Sequence, residues 1–487
     1  MNFEIFEICS IVIVLSALFG YVNVKVLKLP NTIGLMIVAI AFTAFLFGST
    51  YFTDFFKQFA DDLIALIDFK HVLLDVMLGF LLFAGAMHTN FDQLRIQRWP
   101  VIVFSTVGVL ISTFLCATLV YFGFQLIGIE TKYIHCLLFG SLISPTDPIA
   151  VLGILKKAGV PKKLETKIVG ESLFNDGVGV VVFMTIYMIA TGGGHPGETH
   201  TQHENTSPVA ASLSDDSDDS DDSDQQNNEA GEHDEQKHDE NDGQKAAHDD
   251  HGHANEEATV FTVAKLFAKE VLGGLALGFI LGYGTFLLLR SIDDYEIEVL
   301  ITLACVMGGY SLATALHFSA PLAIVVAGLI VGNDTVRGTA MSKQTEMYVN
   351  KFWELMDVLL NAVLFVLIGL ELLVLDLQQQ YLYAAAMAIA IVLASRFFSL
   401  LAPVRFFAQK LDFVPHTTTI MAWGGLRGGI SIALALSLTN DMNRDLFFTV
   451  TYGVVIFSIV VQGLSVGKLA RKLIGAESIE AETEDDH

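Results

Sequence analysis

Apolar runs of about 20 residues, separated by short polar stretches, recur along nearly the whole chain of 487 residues. A run of that length is what an α-helix needs to cross the roughly 30 Å hydrocarbon layer of a bilayer. Thirteen such stretches lie near residues 7–27, 31–49, 71–89, 100–126, 133–155, 164–190, 261–289, 296–316, 319–333, 352–376, 381–405, 415–438 and 446–468. They predict an all-α polytopic membrane protein. The opening run is preceded by Glu4 and Glu7 and by no Lys or Arg. A signal peptide has the opposite charge, so this run is read as a retained first helix.

One long interruption breaks the pattern. Residues 191–258 carry 20 acidic side chains against two lysines, with Ser-Asp-Asp repeats from Ser214 to Asp224 and His-Asp clusters from His233 to His253. Apart from Val209 and Leu213 the stretch lacks branched apolar and aromatic residues. Such a segment cannot bury enough surface to fold, and it is read as a disordered acidic linker. Four regions follow: a first membrane half (1–190), the acidic loop (191–258), a second membrane half (259–472) and a short acidic tail (473–487). His248, His251 and His253 form a weak candidate site for soft metal ions, against a plain solvated linker. The formal charge of −25 sits almost wholly in the loop and tail, which argues against nucleic-acid binding. Cys9, Cys116, Cys136 and Cys305 lie in apolar runs without metal-ligand spacing and read as small apolar fillers.

The basic residues give an orientation. With the N-terminus outside, 18 of the 28 Lys and Arg fall in inside segments, eight in outside segments, and two, Arg396 and Arg427, within spans. This matches the positive-inside rule. The C-terminus is then cytoplasmic and the acidic loop extracytoplasmic.

Two spans are interrupted. The fifth holds Pro145 and Pro148 around Thr146-Asp147, and the twelfth holds Trp423-Gly424-Gly425-Leu426-Arg427-Gly428-Gly429. Proline removes a backbone donor and runs of glycine weaken a helix. The interruptions are seven spans apart, so the broken helices cross the membrane in opposite senses. That pattern belongs to inverted-topology repeats with a binding site at the midplane.

Carboxylates accompany the breaks. A charge at membrane depth costs roughly 2.5–3.5 kcal/mol on insertion scales, so such residues carry ion or proton handling by default. On the sixth span, Ser172 and Asp176 share one helix face, and Glu171 and Asn175 share the next. Asp176, Ser172 and Thr146 offer the oxygen ligands that suit a hard monovalent cation. Burial disfavours a bare carboxylate, so either a proton or a cation must neutralise Asp176, and competition between them produces exchange. Asn175, as an amide, adds no second titrating charge, which favours one proton per cation. Glu171 and Arg396 are candidates for a structural ion pair. Arg427 can compensate either Asp147 or the negative end of a half-helix. Asp75, Asp357, Asn361 and Glu371 are assigned no role. HExxH and the phosphate-loop motif GxxxxGK[ST] are absent, which argues against an enzyme.

With Gly170-Glu171-Ser172-Leu173-Phe174-Asn175-Asp176 and Trp423-Gly424-Gly425-Leu426-Arg427-Gly428 in view, the chain resembles the monovalent cation:proton antiporter-1 family. That family comprises the sodium/proton exchangers, including bacterial NhaP-type proteins. Further matching stretches are Ser144–Val151, Ser319–Asn333, Phe352–Leu372 and Ala394–Ser399. The resemblance implies a thirteen-helix fold with an inverted repeat, elevator-like alternating access and a homodimer. It implies that Asp176 binds cation and proton beside Asn175, that Thr146, Asp147 and Ser172 line the site, and that Glu171 pairs with Arg396. The expected activity is electroneutral exchange of Na⁺ or Li⁺ for H⁺ at the cell membrane, serving pH and sodium homeostasis. No cofactor is expected beyond the transported ions. K⁺/H⁺ exchange on the same scaffold and a passive cation channel are the alternatives. The acidic, His-rich loop departs from the family pattern.

Overall fold

The computed structural model describes residues 5–49, 72, 77–87, 97–147, 151, 154–155, 158–191, 252–333, 341–374, 378–409 and 414–484. The chain divides into a main body (Met1–Gly197 with Val263–His487) and a separate unit (Glu198–Thr262), of which only the helical residues from Gly252 are described. The described residues contain helices and no strand.

In chain order the helices are α1 (Ile5–Val22), α2 (Asn31–Ser49), α3 (Leu78–Met87), α4 (Arg98–Val103), α5 (Val109–Leu126), α6 (Tyr133–Ile143), α7 (Lys162–Thr191) and α8 (Gly252–Arg290). They continue as α9 (Tyr295–Ala315), α10 (Ala320–Val331), α11 (Lys343–Val374), α12 (Gln379–Ala408), α13 (Thr417–Gly424), α14 (Gly429–Leu436), α15 (Arg444–Phe457) and α16 (Leu464–Glu484). π-helical turns extend α1, join α4 to α5, and join α15 to α16. Each apolar stretch of the sequence contains helix. Among the described residues seven helices are long and apolar enough to cross a membrane, the bent pair α13–α14 makes an eighth candidate, and four apolar helices are shorter.

Helix ends depart from the apolar boundaries where polar residues are themselves good helix formers. α8 starts at Gly252, inside the stretch assigned to the acidic loop, because Ala254, Glu256, Glu257 and Ala258 favour helix. α11 starts at Lys343 rather than near 352, behind Ser342, whose hydroxyl accepts the Thr345 amide at 3.3 Å. α16 runs through the acidic tail to Glu484. Hydropathy marks the part of a helix that meets lipid, not the part that is helical.

Two sets of neighbours matter for the site. α6 packs against α5, α7 and α14, while α12 packs against α5, α13 and α15. α11 packs against α1, α2 and α3, and it also reaches α14. Small residues permit the closest approaches. A Cβ at Gly140 of α6 would run into the Thr113 carbonyl of α5, and one at Gly179 of α7 into the Pro145 ring. Trp353 of α11 is fully buried, lies 4.6 Å from the Phe83 ring and donates to Thr302 Oγ1 at 3.1 Å. This ties α11 to α3 and α9.

Gly140→Val forces backbone apart from backbone and is expected to cost about 1–3 kcal/mol. Gly284→Ala, where an added Cβ meets nothing within 4 Å, is the control. Thermal unfolding of the purified proteins in one detergent should show a lowered midpoint for the first variant alone.

Candidate functional site

α6 ends at Ile143, and residues 145–147 leave the helix. Pro145 lacks the N–H that would continue the ladder. The Ser144 hydroxyl covers the Gly140 carbonyl at 2.7 Å, and among the described residues the carbonyls of Ser144 and Pro145 have no helical partner. The second interruption stands opposite. α13 and α14 are bent by 52° across Gly425–Gly428. Arg427 is buried there, and its guanidinium donates to the Ser144 carbonyl at 2.8 Å and to the Pro145 carbonyl at 2.9 Å. In return the Asp147 amide donates to the Leu426 carbonyl at 2.8 Å. Each break thus satisfies the other's loose backbone groups, which a bilayer interior requires. Of the two partners considered for Arg427, the geometry selects the C-terminal end of the half-helix α6.

A π-helical turn braces the second break. Ser458 Oγ accepts the Arg427 amide at 2.9 Å, and Gln462 donates to the Trp423 carbonyl at 2.8 Å. The Trp423 indole donates to Ser465 at 2.9 Å.

α7 runs beside the first break. Glu171 receives two hydrogen bonds from Arg396 of α12, each 2.6 Å, and both side chains are buried. This is a bidentate charge-assisted pair. Asn175 is one turn further on. Its amide nitrogen donates to Glu171 at 3.0 Å and to Thr146 Oγ1 at 2.9 Å, while its oxygen accepts the Thr146 amide at 3.1 Å. Thr146 and Ser172 hydroxyls are 2.8 Å apart. Arg396, Glu171, Asn175, Thr146 and Ser172 form one buried network that fixes the unwound backbone.

Asp176 stands apart from this network. It is 6% exposed, and no hydrogen bond to its carboxylate is found among the described residues. It opens onto a cavity of about 50 Å³ whose polar lining is Thr146, Asp147, Asp176, Asn361 and Ser431. That volume admits a water or a small cation. Asp147 lies against Gly428, where a Cβ would stand 3.0 Å from its Oδ2. A side chain at 428 would crowd the carboxylate.

The structure therefore brings Asp176, Asp147 and Thr146 to one cavity. Ser172 and Asn175 bond to Thr146 and are not among the residues that line the cavity. Glu171, Arg396 and Arg427 form the frame. Sequence reasoning gave no role to Asn361 or Ser431, which complete the wall. The Asp357–Asn361 pair, four residues apart in an apolar stretch, was the available signal. His248 and His251 lie outside the described residues, as do the His253 side chain, Asp75 and the Glu371 side chain.

Comparison with known proteins places this geometry in context. The family described as "Sodium/hydrogen exchanger, transmembrane" matches residues 13–202 and 245–472. The chain is 42% identical over 479 residues to the Na(+)/H(+) antiporter NhaP of Pseudomonas aeruginosa, covering 97% of this chain and 98% of that one. It is 31% identical over 408 residues to the Na(+)/H(+) antiporter NhaH of Halobacillus dabanensis, covering 83% and 84%. Its fold is similar to that of the sodium proton antiporter MjNhaP1 from Methanocaldococcus jannaschii, with TM-score 0.64 at 16% identity over 96% and 97% of the two chains.

Arg396→Ala orphans a buried carboxylate and is expected to destabilise the protein by about 3–5 kcal/mol. Combining it with Glu171→Gln should recover much of that loss. Thermal unfolding of both variants checks this; equal midpoints for the single and double variants would contradict the pairing.

Proposed function

The chain belongs to the sodium/hydrogen exchanger family, and from that premise we propose that it exchanges one Na⁺, or Li⁺, for one H⁺ through Asp176, without net charge movement. The observation that carries this reading is the carboxylate itself, buried, facing a cavity and without a hydrogen-bond partner among the described residues. In that setting a bare charge is expensive, so the carboxylate takes a proton or a cation. The two cannot be held together, and a carrier that crosses only when neutralised exchanges one for the other. Asn175 supports the one-to-one count, since its amide is engaged by Glu171 and Thr146 and carries no charge. The donors around the cavity are oxygens, which suit a hard monovalent cation. Na⁺ here is cargo, and no cofactor enters the scheme.

The same reading assigns the rest of the chain. The halves 1–190 and 259–472 act as inverted repeats that meet at the crossed breaks, with access alternating between the two faces. The N-terminus lies outside, the C-terminus in the cytoplasm, and residues 191–258 outside as an acidic linker. A homodimer in a bacterial cytoplasmic membrane is the setting, with pH and sodium homeostasis as its use.

Proteoliposomes containing a pH dye test the proposal. With the membrane potential clamped at zero, Na⁺ should drive proton flux in the wild type, and Asp176→Asn should abolish it. Robust flux in that variant would overturn the role of Asp176, and flux with K⁺ alone would change the substrate. Competition makes a further demand: as pH falls, the apparent KM for Na⁺ should rise by up to about tenfold per unit, with the maximal rate preserved. Deleting Thr201–Ala254 should leave turnover within roughly twofold of wild type, the expectation for a solvated linker; a large loss with normal expression would give the loop a functional part.

A further inference from the structure

We infer that Asn361 supplies a cation ligand opposite Asp176, held in the right orientation by Asp357; this rests on the exchange reading above and adds to it a residue pair on a helix outside the two breaks. Asp357 and Asn361 are four residues apart on α11 and so share a face. Asn361 is 5% exposed and lines the cavity that Asp176 faces. Its amide nitrogen donates to both the Asp357 backbone carbonyl and the Asp357 carboxylate, each at 2.9 Å.

Those two contacts determine which way the amide points. A carbonyl oxygen accepts and cannot donate, and an ionised carboxylate does the same. Turning the amide over would set oxygen against both. The nitrogen therefore belongs to Asp357, and Oδ1 is directed away from it. No donor to that oxygen is found among the described residues. An amide oxygen without a donor among the described residues, on a residue lining a cavity that also holds a buried carboxylate, is a hard, neutral ligand. It adds coordination without adding charge, so the one-to-one exchange is unaffected.

The location gives the residue its consequence. Thr146, Asp147 and Asp176 come from the break and from α7, whereas Asn361 comes from α11, which packs against α1, α2 and α3. The cation is thus held between two groups of helices. Asp357 is a positioning residue: it is half-buried, accepts from the Asn361 amide and is not among the residues lining the cavity.

The experiment is Na⁺-dependent proton flux in proteoliposomes, with Na⁺ binding to the same purified proteins measured as Na⁺-dependent thermal stabilisation. Asn361→Ala should raise the KM for Na⁺ on the order of tenfold with the maximal rate within about twofold. Asn361→Ser, which keeps an oxygen, should recover part of the loss and guards against misfolding of the alanine variant. Asp357→Ala should raise KM about threefold, and Asp357→Asn, which retains an acceptor, should be close to wild type. An unchanged KM in folded Asn361→Ala, or an equal loss of maximal rate in the alanine and serine variants with KM unmoved, overturns the inference. Asp176→Asn keeps the two readings apart. If it abolishes flux while Asn361→Ala binds Na⁺ normally, the exchange reading stands and this one falls.

Discussion

The structure depends on the exchange of hydrogen bonds between two interrupted helices. A chain inside a bilayer cannot leave backbone groups to water, so an interruption survives only if protein satisfies what it exposes. Here the Ser144 and Pro145 carbonyls are satisfied by Arg427 from the second break, and the Leu426 carbonyl by the Asp147 amide from the first. Neither break is complete alone. The arrangement brings two unwound segments together at one level and leaves the carboxylates of Asp147 and Asp176 beside a cavity.

The charges follow from the same frame. Arg427 is committed to backbone carbonyls, and Arg396 to Glu171. Asn175 links the Glu171–Arg396 pair to Thr146, so the ion pair is tied to the unwound chain. Both arginines are therefore engaged, and among the described residues no hydrogen bond reaches the Asp176 carboxylate, the group to which the proposed exchange assigns the proton and the cation. Buried pairs of this kind contribute little net stability, but removing one member is costly. In the proposed exchange their part is to fix the geometry around Asp176.

Much of this was legible in the sequence because the signals are local. Pro145 and the glycines of Gly424–Gly429 announce interruptions, apolar run length announces helices, and a carboxylate in an apolar run announces a site. Ser172 and Asp176 share a face by spacing alone. What spacing could not show is which polar group spends itself on which. Ser172 has the right chemistry for a ligand, and its hydroxyl also bonds to Thr146, a contact that spacing does not reveal. Arg427 had two possible partners, and only the approach of α6 to the second break distinguishes them. Asn361 depends on which face α11 turns toward α14, a tertiary fact, and Ser458 on a π-helical turn that no composition encodes. α8 and α11 begin before their apolar stretches because hydropathy reports lipid contact and not helix.

The central claim is that one carboxylate holds either a proton or a cation. Its most direct test is proton release on binding: add Na⁺ to the purified protein in weakly buffered detergent solution with a pH indicator, at a pH where Asp176 is occupied by a proton. The account predicts release approaching one proton per Na⁺ bound, saturating with Na⁺ and absent in Asp176→Asn. Na⁺ binding without proton release, or release that persists in the variant, would contradict it.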